Sequence, residues 1–276
     1  MPELVITPTR DFTIPVTAES ISPDVLAGKS VREIGLIEVW EGNRRVKLNS
    51  LFSIEGEAER TAEDCIIRIA GNVQAVRRVG YAMTSGSIRI DGDAGMYVGE
   101  RMRGGSIHVT GNADSWLGTE MRGGQIDVKG SAGDSVGGTI RGGTKGMRGG
   151  AIKVHGGCGT ELGAWMRNGT IRVGGNCDLY TGLHMGNGTI VVEGDCAGRV
   201  GACMRKGKII VLGNMGGVLP SFQFDEIREK AKVREEKIVG PFYVFGGDVN
   251  EDGDGKLFAQ VGRNADLKWN ERFLER

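Results

Sequence analysis

The chain has 276 residues with 35 basic and 35 acidic side chains, and this balance argues against nucleic acid as a main partner. Its 39% hydrophobic content and 48 glycines suit one elongated domain with additions at both ends, not a disordered chain. No apolar run approaches the roughly 18 residues of a membrane span, the N-terminus has no secretory pattern, and the five cysteines are odd in number, so a cytoplasmic protein with free thiols is expected.

Residues 1–60 read as an N-terminal β cap. Two apolar runs, Ile34 to Trp40 and Val46 to Ile54, are separated by Glu41-Gly-Asn-Arg-Arg45, which predicts a hairpin. Upstream, Pro23-Asp-Val-Leu-Ala-Gly28-Lys29-Ser30 is a near miss to a phosphate-binding loop, with Pro23 where its first glycine belongs and no clear strand before it.

Residues 61–220 repeat one unit. Thr61 to Gly71 is a degenerate opening copy in which Ala62 stands in the methionine column. After it, Met83, Met102, Met121, Met147, Met166, Met185 and Met204 follow at steps of 19 residues, with a single step of 26 between Met121 and Met147. Each Met is followed after three residues by a glycine (Gly86, Gly105, Gly124 and on to Gly207) and after nine by another (Gly92, Gly111, Gly130 and on to Gly213). Between the glycines, period-two alternation puts the column Ile88 to Ile209 and the column Ile90 to Val211 on one face of a short strand. Two further columns, Ala94 to Met215 and Val98 to Leu219, are small or apolar except for Thr181.

Nineteen residues hold no useful helix once a strand and glycine turns are subtracted, and so short a unit must bury its apolar face on its neighbours. The expectation is an all-β chain, a right-handed parallel β-helix of about seven coils rising about 4.8 Å per coil, roughly 34 Å in all. Its interior is filled by like-on-like ladders, and both glycine columns sit where the chain enters positive φ. The seven extra residues before Met147 must leave as a surface loop of the kind that often meets partners. Residues 221–276 read as a C-terminal cap, with a solvated helix over Asp225 to Lys237 and a closing hairpin of Phe242 to Phe245 with Leu257 to Val261.

Little in this pattern offers chemistry. Cys158, Cys177 and Cys196 share the Ala column, and ligands in a line do not converge on one ion, so small-residue packing is the better reading. His108, His155 and His184 fall in different columns and are not expected to meet, which disfavours a histidine metal site or a nucleophilic triad. Asp248-Val-Asn250-Glu-Asp252-Gly253-Asp254 resembles half a calcium loop, but Ala259 stands where a bidentate carboxylate is needed, so a polar turn is expected. No catalytic, cofactor-binding or metal residue is assigned. One outward column, Arg103, Arg122, Arg148, Arg167 and Arg205, interrupted by Thr84 and Gly186, makes a strip of positive charge suited to an acidic partner or coenzyme unless carboxylates on the same surface neutralise it.

The tandem pattern, with Val25-Leu-Ala-Gly-Lys-Ser30, Glu38-Val-Trp-Glu-Gly-Asn43 and Leu219-Pro-Ser-Phe222, resembles the C subunit of formylmethanofuran dehydrogenase, the tungsten- or molybdenum-dependent complex of methanogenic archaea. The likeness runs from about residue 5 to about residue 222, including the insertion before Met147. The repeat is more loosely similar to the C-terminal β-helix domain of the large glutamate synthase subunit and to the corresponding subunit of bacterial formyltransferase/hydrolase complexes. The resemblance implies membership of a complex that reduces CO2 with ferredoxin electrons and formylates methanofuran, the first step of methanogenesis from CO2. It further implies that the tungstopterin or molybdopterin, the iron-sulfur clusters and the metal-dependent amidohydrolase site belong to other subunits, among them metal-pterin, amidohydrolase-like and ferredoxin-type partners. A non-catalytic scaffold subunit is therefore expected. The alternative is a subunit of a bacterial formyltransferase/hydrolase complex whose arginine ladder contributes to coenzyme binding.

Overall fold

Alternating apolar residues in each repeat unit make one short strand, and consecutive strands pair in parallel with the Ile and Val columns in register, the one shift falling between Arg148 and Ala151, just after the insertion. A computed structural model describes residues 3–274. The N-terminal region comprises β1 (Leu4–Pro8), β2 (Val16–Thr17), the short helices α1 (Pro23–Leu26) and α2 (Val31–Gly35), β3 (Glu38–Glu41), β4 (Arg44–Lys47) and β5 (Phe52–Gly56). The opening repeat supplies β6 (Ile66–Ile69) and β7 (Val76–Arg77). The methionine units then contribute β8 (Ser87–Ile90), β9 (Ser106–Val109), β10 (Gln125–Val128), β11 (Arg148–Val154), β12 (Asn168–Val173), β13 (Thr189–Val192) and β14 (Lys208–Val211). The chain continues with β15 (Gln223–Val233), β16 (Glu236–Gly247), β17 (Gly255–Gln260) and a 3-10 segment over Ala265–Phe273. The protein is all-β in character, and no helix among the described residues is long and apolar enough to cross a membrane.

Three lines of contact join each unit to the next. Along the strands, Ile88 lies opposite Ile107, Ile107 opposite Ile126, Ile126 opposite Ile152, and so on to Ile209. Parallel bridges link Ala94, Ala113, Ala132, Cys158, Cys177 and Cys196 in succession. Along the third line the amides of Gly99, Gly118, Gly137, Gly163, Gly182 and Gly201 donate to the carbonyls of Val79, Val98, Leu117, Val136, Leu162 and Thr181. All seven methionines of the repeat are fully buried beside the Ile, Val and Leu columns, and burying each such side chain stabilises by roughly 1.5–3 kcal/mol. Leu219, placed in the interior column by spacing, is only half-buried because the chain has already left the pattern.

The two glycine columns have different causes. Gly105 has φ +76, and a Cβ there would meet the Met83 methyl at 2.7 Å and the Gly86 carbonyl at 2.6 Å, so each methionine needs the glycine of the next unit. Gly111 does not have the positive φ expected of it; a Cβ there would instead strike Asp93 Oδ1 at 2.3 Å and the Gly92 backbone at 2.7 Å, so its column permits close approach between units. A column not anticipated from the sequence runs beside it: Asn72, Asp93, Asn112, Asn176 and Asp195 each accept, through a side-chain oxygen, the amide one unit further on. These bonds satisfy backbone donors that the turn would leave unpaired.

The ends of the stack are covered. β1 pairs in parallel with β6 and antiparallel with β5, while β17 pairs in parallel with β14 and antiparallel with β16, giving a 13-stranded sheet with β15 and β5 at its edges. A second sheet of four strands, in the order β4, β3, β2, β7, contains the predicted hairpin, shortened to Glu38–Lys47. Asp225 to Lys237 is not the helix expected. Gln223–Val233 is a strand, with Ala231 and Val233 buried against Val191, Ile210, Phe242, Val244 and Phe258 while Lys230 and Lys232 face solvent. The reason lies outside the segment: the outward column Arg89, His108, Asp127, Lys153 and Arg172 turns apolar at Val191 and Ile210, and β15 with β16 covers that exposed face.

Candidate functional site

Two columns of non-glycine residues hold left-handed backbone conformations at adjacent corners of the units. One contains Tyr97, Trp116, Ser135, Glu161, Tyr180 and Arg199, with φ between 55 and 68°. The other contains Arg101, Glu120, Trp165, His184 and Cys203, with φ between 52 and 61°. Such conformations are costly for L-residues and persist only where surrounding structure imposes them. Here the unit-to-unit amide bonds do so, as Arg101 N to Thr119 O at 2.8 Å and His184 N to Ala202 O at 2.9 Å. The consequence is a corner face of stacked side chains: Tyr97 on Trp116 with centroids 5.1 Å apart, and Trp165 on His184 at 4.1 Å.

The inserted loop lies on this face. Met147 N donates to Gly137 O at 2.9 Å, the bond that Met121 makes to Gly118 in an ordinary unit, so the seven extra residues leave between Gly138 and Gly146 without disturbing the stack. The Arg141 guanidinium sits 5.7 Å from the Trp116 ring centre, and Arg167 donates to the Thr144 carbonyl at 2.9 Å. Between loop and corners is a cavity of about 450 Å³ walled by Trp116, Thr139, Arg141, Glu161, Trp165 and Leu183. The buried Thr139 hydroxyl has no hydrogen-bond partner there.

The arginine column borders the same corners. Its backbone amides are stacked, Arg103, Arg122, Arg148, Arg167 and Arg205 each donating to the methionine carbonyl of the preceding unit at 2.7–2.8 Å. Neutralisation by carboxylates holds for Arg205, which pairs with Glu251 at 3.0 Å. Among the described residues the other four form no ion pair, and Arg148 Nε is buried without a partner. Thr84, the first member of the column, instead donates its amide to Asp24 at 2.8 Å.

Further along the corner face, Glu100 is 2% exposed, with Arg78 Nε at 3.0 Å and Arg101 Nε at 3.9 Å. Burial raises its carboxyl above the usual range, and the two guanidiniums oppose the shift. The histidines depart from the expectation that they stay apart. His108 Nδ1 lies 3.4 Å and His155 Nε2 3.3 Å from the two oxygens of Asp127, which Lys129 also approaches at 3.0 Å. Spacing hid this because His155 sits two residues further along its unit than His108 and leans back across the insertion step. Burial favours the neutral acid, but the hydrogen bonds from Lys129 and His155 prevail and hold Asp127 below the usual carboxylate range. The third histidine, His184, stands beside Cys203 and Glu251, a grouping no spacing argument could reach because Glu251 lies beyond the last repeat unit.

The remaining sequence candidates have local duties. Lys29 Nζ donates to the Val25 carbonyl, and Ser30 with Glu33 forms a capping box on α2, so the apparent phosphate loop is a helix start. Asp248 is buried and accepts from the amides of Cys203 and Asn250, each at 3.0 Å. All five cysteines are free. Cys177 is pushed far above the ordinary thiol range by Cys158 and by burial, and burial followed by Cys177 pushes Cys196 up to about 12. These thiols pack as small neutral groups.

No family model matches the chain. The chain is similar to the C subunit of the molybdenum-containing formylmethanofuran dehydrogenase 1 of Methanosarcina barkeri, 38% identical over 98 residues that make up 36% of this chain and 33% of that one. It is likewise similar to the C subunit of the tungsten-containing formylmethanofuran dehydrogenase 2 of Methanothermobacter thermautotrophicus, 42% identical over 98 residues and 36% of each chain. The match thus spans about a third of the length of these curated relatives. Among solved structures it is similar to a chain of the formyltransferase/hydrolase complex from Methylorubrum extorquens in complex with methylofuran, with a TM-score of 0.82, 28% identity, and coverage of 93% of this chain and 99% of that one.

Proposed function

We propose that the chain is a scaffold subunit of a complex of the formylmethanofuran dehydrogenase type, which carries out CO2 reduction and methanofuran formylation on subunits other than this one. The repeats wind as one right-handed parallel β-helix, closed by residues 1–60 at one end and 221–276 at the other. The observation that carries this reading is the likeness to complex-forming subunits on two measures: near 40% identity over a third of the chain, and a shared fold over nearly its whole length. Packing supports it independently. Met, Ile, Val and small side chains of the repeat columns are buried in one apolar core, so the polar side chains available to partners lie on the surface. A rigid stack whose units repeat every 4.8 Å or so presents its corner face, arginine column and inserted loop at fixed separations, as a subunit that organises others requires. The metal-pterin, amidohydrolase-like and ferredoxin-type subunits dock on these surfaces. Isolation of the native protein under mild conditions, with identification of co-purifying chains, tests the proposal.

A second reading is favoured by coverage: the chain matches 99% of a formyltransferase/hydrolase subunit, whose complex was solved with methylofuran. On that reading Arg103, Arg122, Arg148, Arg167 and Arg205 hold an acidic coenzyme tail, and four of the five have no competing carboxylate among the described residues. Metal analysis of the isolated complex separates the two, since a dehydrogenase contains tungsten or molybdenum together with iron. Replacing Arg122 and Arg148 with Ala tests the coenzyme role, and unchanged coenzyme affinity in an intact complex rules it out.

A further inference from the structure

Where the last two units meet the C-terminal cap, three side chains of different donor type face one another. His184 and Cys203 are consecutive members of one left-handed corner column, and Glu251 reaches them from the 3-10 turn Val249–Glu251. Their donor atoms all lie within 4.8 Å of one another. We infer that His184, Cys203 and Glu251 form a binding site for a borderline-soft divalent cation of the zinc class, which ties the cap to the repeat stack.

The donor set fits that class. Imidazole nitrogen, thiolate sulfur and carboxylate oxygen are the ligand types zinc takes, at about 2.0–2.3 Å, and a hard cation such as Mg2+ would not select the thiol. Tetrahedral bonds of that length place donors roughly 3.3–3.8 Å apart, so the three need only rotamer adjustments of about 1 Å to converge. All three are half-buried, accessible yet shielded from bulk water.

Supporting contacts hold each ligand in place. Trp165 stacks on the His184 ring with an interplanar angle of 14°, which fixes the imidazole plane. Asp248, buried at the base of the turn, accepts the Cys203 amide and aims the thiol. Arg205 holds Glu251 through Oε2, leaving Oε1 for a cation. Burial, Glu251 and Asp248 push the Cys203 thiol up; cation binding would replace its S–H bond with an S–metal bond and release the proton to solvent. Three protein ligands leave a fourth position open toward a cavity of about 260 Å³ lined also by Arg167 and Arg205, where water or an anionic group would complete the sphere. This site is independent of the scaffold proposal.

Cobalt(II) titration of the metal-free full-length chain tests it. One Co2+ per chain with a thiolate charge-transfer band is expected, with affinity falling about tenfold or more in His184→Gln and Glu251→Gln and the band lost in Cys203→Ser. Should Cys203→Ser fail to fold, X-ray absorption of the zinc-loaded wild-type chain must show one sulfur neighbour at about 2.3 Å. No stoichiometric binding at micromolar metal, a charge-transfer band unchanged by Cys203→Ser, or no sulfur neighbour overturns the site.

Discussion

Replacing Gly124 with Ala tests whether each methionine requires the glycine of the following unit. Gly124 has φ +84, and an added Cβ would lie 2.6 Å from the Met102 methyl and 2.8 Å from the Gly105 carbonyl. The left-handed backbone alone costs roughly 1–2 kcal/mol for a residue with a Cβ, and overpacking a core that cannot shift adds about 1–3 kcal/mol, so Gly124→Ala should destabilise by about 2–5 kcal/mol. Met102→Ala should cost about 2–5 kcal/mol by itself, through lost burial and the cavity left behind. In the double variant the methyl clash is gone and the new Cβ partly refills the cavity. The two changes should therefore sum to less than their parts, with a coupling of about 1–2 kcal/mol. Urea unfolding followed by tryptophan fluorescence measures all four corners of the cycle. Additivity within about 0.5 kcal/mol, or a Gly124→Ala cost below 1 kcal/mol or so, would show that the glycine column is not set by the methionines.

Deleting Thr139 to Lys145 brings Gly138 next to Gly146 and restores a 19-residue step, so the melting temperature should change little, while opening of the cavity should red-shift the emission of Trp116 and Trp165; loss of cooperative unfolding would contradict the view of the insertion as an excursion. Glu100→Gln bears on the buried carboxylate. Because its folded pKa is raised, ionisation of Glu100 costs stability at pH above that value, and the cost vanishes as pH falls through it. The variant should thus melt higher than wild type at pH 8 or so and lose the advantage in mild acid, with Glu19 and Glu120 still pairing Arg78 and Arg101. Asp127 has the opposite sign: its pKa is lowered, so its contribution is present above its unfolded pKa and is lost as pH falls through the folded one. Asp127→Asn should be less stable than wild type at neutral pH and show a shallower loss of stability in acid, read from melting curves. On the coenzyme reading, Arg122→Ala should weaken binding of a polyglutamate probe several-fold with a reduced salt dependence, whereas Arg205→Ala, already paired with Glu251, should have less effect.

The repeat was legible because every interior column returns at the same spacing, so period and alternation together give strand, face and register from Ile88 to Val211. The side-chain ladder through Asn72, Asp93, Asn112, Asn176 and Asp195 was hidden by its mixed composition, since Asn, Asp and Ser look alike to any surface turn and only the unit-to-unit spacing gives them a shared partner. The segment Asp225 to Lys237 misled for a different reason. Its charges resemble a solvated helix, and the sign that it is a strand lies in Val191 and Ile210, two apolar residues in an otherwise charged outward column. Of the candidate site, the arginine column and the inserted loop were visible as separate irregularities. Their proximity, through Arg167 and the Thr144 carbonyl, was not, and neither was the corner face, because residues at positive φ such as Trp116 and Trp165 are not the types that usually announce a left-handed turn. His184, Cys203 and Glu251 meet only because the turn Val249–Glu251 folds back beside the last two units.

The claim that this chain organises other subunits is tested most directly by mass measurement of the native protein purified gently from its source, with each co-purifying chain identified and the metals counted. The expected result is a multi-subunit assembly in which this chain accompanies formyl-transferring partners, with tungsten or molybdenum and iron present if it is of the dehydrogenase type. A stable lone monomer, free of partners across independent preparations, would contradict it.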